Sequence, residues 1–196
     1  MKYIRRFMWF LSSRLVIFTL VVGILVLVFY TCLNISNIYI LLSDGMKARA
    51  QVMLTREDPE QLNNYFRAEF LTGDEALNLA LGPSSPYVDY EITDFEYKLS
   101  IESVWCWPWQ DTASATIVER IPKITGKVVS SRSEAVEDGS LPSTPPTWQG
   151  GRYEITLYRS NGQWKVAGMR QTQIIVEPTP SPTPEPTAAP SPAAEG

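Results

Sequence analysis

From Leu15 to Ser43 the chain runs twenty-nine residues without an Asp, Glu, Lys or Arg, and the residues before it carry four basic side chains (Lys2, Arg5, Arg6, Arg14) and no acidic one. Within this run, Leu15 to Leu33 has nineteen residues, fourteen of them Leu, Ile, Val or Phe. About twenty apolar residues carry a helix across a bilayer core. Near the centre each such side chain favours insertion by roughly 0.3 to 0.6 kcal/mol, a sum that Thr19, Gly23 and Thr31 do not cancel. A soluble core helix is the first alternative, but one that is apolar all round lacks the charged face expected in a chain this small. A secretory leader is the second, because Ala48-Arg49-Ala50 places small residues at cleavage spacing. A leader's apolar region is about 7 to 15 residues and is cut just beyond it. Here the run is roughly twice that length and Ala50 lies far downstream. Thr31-Cys32 is not preceded by the small residues of a lipoprotein site.

The expected layout is therefore a cytoplasmic start (1–14), a retained transmembrane helix (15–42), a helical neck (43–56), an extracytoplasmic α+β domain (57–176) and a disordered Pro-rich tail (177–196). Asn34-Ile35-Ser36-Asn37 is expected at headgroup level, with Ile38 to Leu42 along or just above the surface. Basic residues flanking a span stay cytoplasmic, which sets the direction. The short basic start and the lack of paired cysteines point to a bacterial plasma membrane. From Asp44 onward the thirteen remaining basic residues face all twenty-one acidic ones, leaving that part at net −8. Such a surface repels nucleic acid and anionic lipid. The partners expected are membrane lipid through the helix, a protein partner or a second copy, and a small ligand.

Asp58-Pro59 reads as an N-cap and first-turn proline, so a helix is expected from Pro59 to about Leu71, with Leu62, Phe66 and Phe70 on one stripe. A second helix, capped by Asp74 and ended by Gly82-Pro83, is expected to reach Leu81. Tyr97, Leu99 and Ile101 alternate with polar residues, as do Ala113, Ala115 and Ile117, which is the period of strands buried on one face. Pro108 to Asp111 supplies the turn between them. Gly151 to Ser160, the Asn161-Gly162 turn, then Trp164 and Val166 form the clearest hairpin. An antiparallel sheet of four or more strands follows, with Ser130 to Gly150 as an exposed excursion. The tail, Glu177 to Gly196, has seven prolines in twenty residues and no aliphatic larger than Ala, a composition that stays extended.

Helices first, then an antiparallel meander closed by Asn161-Gly162-Gln163-Trp164-Lys165-Val166, resembles the cone-shaped fold of the nuclear transport factor 2-like superfamily. The resemblance covers about Glu57 to Gln173. It implies helices packed on a curved sheet. The anchored topology is similar to that of the inner-membrane assembly components of type IV secretion and conjugation machines, which implies an assembly role. Enzymatic members of the superfamily place an Asp, Tyr or His in the mouth of the cone.

This chain has no histidine, which removes Ser-His-Asp and Cys-His systems and the commonest general base at neutral pH. A pair such as Tyr97 with Asp94 or Glu96 is the residual catalytic option, set against the ordinary reading of adjacent strand residues, so no catalytic residue, cofactor or metal is assigned. Asp89, Glu91, Asp94 and Glu96 lack the glycine turn of a calcium loop and read as a solvated sheet edge. Cys32 and Cys106 are too far apart in this layout to pair, leaving Cys106 buried or paired between chains. The most unusual segment is Val104-Trp105-Cys106-Trp107-Pro108-Trp109, with three of the six tryptophans within five residues. Trp105 and Trp107 are expected on the face of Ile101, and Trp105 in the core. Trp109 is divided between the core and an interface with lipid or protein. The function expected is a non-catalytic protein-interaction or assembly module. Its alternative is a domain that binds or senses a small ligand in the cavity of the cone.

Overall fold

The computed structural model describes residues 2–175, with side chains from Met8 onward. It is an α+β structure in which a long N-terminal helix is followed by short helices and a four-stranded antiparallel sheet. The tail expected over 177–196 lies outside the described residues.

Helix α1 runs Lys2–Thr55 without interruption. From Met8 into the Leu33 turn its large apolar side chains face outward, and this part is long and apolar enough to cross a membrane. Beyond Leu33 the same helix changes partner. Ile38, Leu42, Met46 and Ala50 recur every fourth residue on one stripe and are all fully buried against the sheet. The segment expected as a neck, 43–56, thus packs into the core on this stripe, and in the turn before it Ile38 and Leu42 point inward while Tyr39 and Ile40 face outward. Burying Ile38, Leu42 and Met46 is worth roughly 1.5 to 3 kcal/mol each, which a free-standing neck would forgo. Arg56 ends the helix in the left-handed region at φ 59°, and its guanidinium donates to the Leu81 carbonyl at 3.0 Å.

The expected helix from Pro59 to Leu71 is broken. A 3₁₀ turn, Pro59–Asn64, is capped by Asp58, and α2 begins only at Ala68–Gly73. Between them Tyr65 to Arg67 pairs with the backbone of Val166: Val166 N–H donates to Tyr65 O and Arg67 N–H to Val166 O, both at 2.9 Å. That pairing replaces helical bonds while keeping Leu62 and Phe66 buried and stacking Phe66 on Phe70 at 5.6 Å. Helix α3, Glu75–Leu81, is capped by the Asp74 carboxylate and ends at Gly82, as its sequence punctuation indicates.

The sheet is a meander of β1 (Tyr90–Cys106), β2 (Thr112–Val128), β3 (Gly150–Ser160) and β4 (Gln163–Ile175), in the order β1-β2-β3-β4. The β3–β4 turn needs two positive φ angles, and Asn161 (53°) and Gly162 (80°) supply them. Ala113, Ala115 and Ile117 face inward on β2, and Tyr153, Ile155 and Leu157 on β3. On β1 the register shifts between Ile101 and Ser103, leaving Glu102 without an opposite residue. A bulge of one residue inverts the alternation beyond it. Val104 and Cys106 therefore turn inward and Trp105 and Trp107 outward. The segment between β2 and β3 is mostly exposed, with a short helix α4 (Ser133–Glu137), but its end returns to the core at Trp148.

Gly45 lets α1 approach the chain at Tyr65, since an added Cβ would lie 2.8 Å from the Tyr65 Cβ. In the full chain in detergent, Gly45→Ala should destabilise by about 1 to 3 kcal/mol despite its better helix propensity. An unchanged or raised melting temperature would count against this packing.

Candidate functional site

Two buried charges face each other under the end of α1. Arg49 lies on the stripe of Met46 and Met53. Its Nε and Nη2 donate to the two oxygens of Asp74 at 2.7 and 2.9 Å, with both side chains almost wholly buried. The same Asp74 accepts the Leu77 N–H at 3.2 Å, so one carboxylate caps α3 and ties it to α1. A fork-to-fork pair of this kind is stronger and more directional than a single bond. Burial works against the Arg49 charge, but the Asp74 hydrogen bonds and the charges of Asp74 and Glu119 outweigh it and hold the guanidinium above its ordinary pKa.

Glu119 is the third member. The inward period of β2 through Ala113, Ala115 and Ile117 continues to Glu119, which is fully buried. Tyr97 Oη donates to its Oε1 at 3.2 Å, while Oε2 has no hydrogen-bond partner. Burial pushes the Glu119 carboxyl up to about 7, partly opposed by the Arg49 charge and the Tyr97 hydrogen bond. Burial and the Glu119 charge raise the Tyr97 phenol, and burial raises Tyr153 to about 12.

Beside this cluster opens a cleft of about 580 Å³, into which Arg49, Asp74, Tyr87, Trp148, Tyr153 and Met169 project. Neither Glu119 nor Tyr97 lines it. The Trp148 Nε1–H is buried without a hydrogen-bond partner. The cleft thus offers aromatic and thioether walls and a neutralised ion pair, the mixed lining typical of small-molecule sites.

The residues singled out in the sequence lie elsewhere. Trp105, Trp107 and Trp109 stand at the β1–β2 turn, 63%, 42% and 66% exposed, so the core position expected for Trp105 is corrected. Their rings form a ladder, T-shaped at 5.4 Å and then stacked at 5.1 Å. In the closing hairpin Asn161 and Gly162 make the turn, while Trp164 and Val166 are buried and pack in the core. Tyr97 is not joined to Asp94 or Glu96. It faces inward to Glu119, whereas Glu96 pairs with Lys98 at 2.8 Å and Asp94 is exposed. Asp89 accepts from Arg132 at 2.8 Å. Cys106 is a buried free thiol and Cys32 an exposed one on α1. Among the described residues no group of three potential metal ligands occurs.

Comparison of the chain with protein-family models, with curated proteins and with solved structures finds no match.

Two expectations follow. Arg49→Ala leaves Asp74 buried and unpaired and should cost about 3 to 5 kcal/mol in thermal or denaturant unfolding. A loss within error would show that the pair is not buried as described. For Glu119, a folded pKa near 7 against 4.5 unfolded means that the folded chain binds the extra proton. Stability from this group is full below about pH 4.5 and is lost as pH rises through 7, by about 3 kcal/mol. Glu119→Gln should flatten that part of the melting-temperature profile. A wild-type profile rising over the same window would contradict the assignment.

Proposed function

We propose that this chain is a single-pass membrane protein whose α+β domain binds a small, largely apolar ligand in the cleft at Trp148, without catalysis. The observation that carries this reading is the cleft itself: about 580 Å³, walled by Tyr87, Trp148, Tyr153 and Met169 beside the Arg49–Asp74 pair. Small-molecule sites run about 300 to 1,000 Å³. Arg49 lies sixteen residues beyond Leu33, ~24 Å along the helix axis at 1.5 Å per residue. The cleft therefore opens far from the bilayer that α1 would span, which favours a ligand drawn from the aqueous phase.

Retention of α1 is supported by its packing. Cleavage after Ala50 would remove Ile38, Leu42, Met46 and Arg49 from the core. The four basic residues before Leu15 support a cytoplasmic start and an extracytoplasmic domain, as expected for a bacterial plasma membrane protein. The lack of catalysis is supported by the absence of histidine and by the seclusion of Glu119, whose carboxyl is raised to about 7, from the cleft. The resemblance to the nuclear transport factor 2-like cone is supported by the helices-first order and by the closing hairpin over the core.

The assembly reading keeps one observation in its favour, the exposed tryptophan ladder, which has the size and composition of an interface anchor. The outer edge of β1 offers less, because its bulges and its charged residues Glu91, Asp94, Glu96 and Lys98 discourage strand addition.

Gly73 lines the cleft and a Cβ there meets nothing within 4 Å, so Gly73→Trp is the variant chosen to crowd the site. Mass spectrometry of organic extracts of the purified full chain should reveal a small molecule depleted at least tenfold in Gly73→Trp, with the melting temperature of ligand-stripped chain unchanged. Identical extracts from the two would remove the ligand-binding reading.

A further inference from the structure

We propose that Trp105, Trp107 and Trp109 form a second membrane contact, seated in the headgroup layer of the bilayer that α1 spans. The proposal rests on the reading of α1 as a span and is independent of the cleft.

The depth of the ladder is set by Arg159 on β3. Its Nη1 donates to the Tyr30 hydroxyl at 2.8 Å and to Asn34 Oδ1 at 3.4 Å. The same guanidinium bonds Asp111 at 3.0 Å, and its Nη2 donates to the Gln110 carbonyl at 3.5 Å. The Arg159 backbone N–H also donates to the Asp111 carbonyl, at 2.7 Å. The β1–β2 turn that carries Trp107 and Trp109 is thus clamped beside the helical turn of Tyr30 to Asn34. Leu15 to Leu33, nineteen residues, extends ~28 Å at 1.5 Å per residue, against a hydrocarbon core of about 30 Å. Tyr30 to Asn34 therefore marks the outer boundary of that core. Higher on α1, Tyr39 Oη donates to the Ile101 carbonyl at 3.3 Å. Hence β1 descends from Ile101 toward the bilayer while α1 rises from it, and the ladder lies at the lower end of the sheet.

The chemistry suits that depth. Indole rings favour the membrane interface, where the ring meets acyl chain and the N–H meets water or headgroup oxygen. The bulge at Glu102 turns Trp105 and Trp107 outward, Trp109 stands exposed in the turn, and Pro108 follows the end of the strand within the ladder. Contact between the rings fixes their arrangement before any partner arrives. The acidic group nearest the turn, Asp111, is neutralised by Arg159. A soluble protein docking on these rings would have to displace headgroups from the same level. Two attachments, helix and ladder, would fix the tilt of the domain.

The test uses the full chain carrying Trp9→Phe in phosphatidylcholine vesicles. Bromines on the upper acyl chain should quench the tryptophan emission more strongly than bromines at the chain end or iodide in the water. That quench should disappear when Trp105, Trp107 and Trp109 are all replaced by Phe, and each single replacement should remove a share of it if the triple variant does not fold. Vesicle flotation reports the span separately. A floating chain whose ladder is quenched by iodide alone, or by neither agent, overturns the proposal and assigns the rings to water or to a protein partner, with the span intact. A chain that does not float overturns the span and the ladder contact with it.

Discussion

An α-helix whose hydrogen bonds run unbroken from an apolar span into the centre of a folded domain cannot swivel between the two. In this chain α1 is continuous from Leu15 to Thr55, and its stripe of Ile38, Leu42, Met46 and Ala50 is the surface onto which the sheet packs. The other attachments are built along that rod at different heights. Arg159 holds the β1–β2 turn at Tyr30 and Asn34, Tyr39 meets β1 at Ile101, and Arg49 grips the start of α3 through Asp74. Such a continuous helix leaves no flexible linker between its apolar segment and the domain.

The Arg49–Asp74–Glu119 cluster is costly to bury, and such groups persist where geometry requires them. Arg49 offsets one full carboxylate by hydrogen bonds and a second, Glu119, by its field. The result is a core with one carboxyl close to its titration point at neutral pH, closed off from the cleft by its neighbours. Its unpartnered oxygen and the Trp148 indole N–H are two of the four buried polar side-chain atoms without a hydrogen-bond partner among the described residues, the others being Asn34 Nδ2 and Arg152 Nε. Trp148 itself lines the cleft.

The parts of this structure that were legible in the sequence are those fixed by local chemistry. Asn161-Gly162 demands the positive φ angles that it adopts, Asp74 and Gly82 delimit α3, and the alternation through Ala113, Ala115 and Ile117 names the inner face of β2. The same alternation reaches Glu119, and the stripe through Met46 and Met53 contains Arg49. The signal for the buried cluster was thus present as two charges of opposite sign on apolar faces. Asp74, already assigned as a cap, gave no sign of a second role, because a cap and an ion pair use the same carboxylate. Other features depend on distant partners. Pairing with Val166 opens the helix expected through Phe66, and the bulge at Glu102 turns Trp105 and Trp107 outward. Ile38 to Leu42 suits a membrane surface and a protein core equally, so apolarity alone could not assign it.

The central claim is that span and domain share one rigid helix. Hydrogen–deuterium exchange of the full chain in lipid nanodiscs tests it directly. Continuous slow exchange from Leu33 through Val52, with no faster segment at Asn34 to Asn37, is the predicted result. Rapid exchange across Asn34 to Ser43 would show a hinge between membrane and domain and contradict the account.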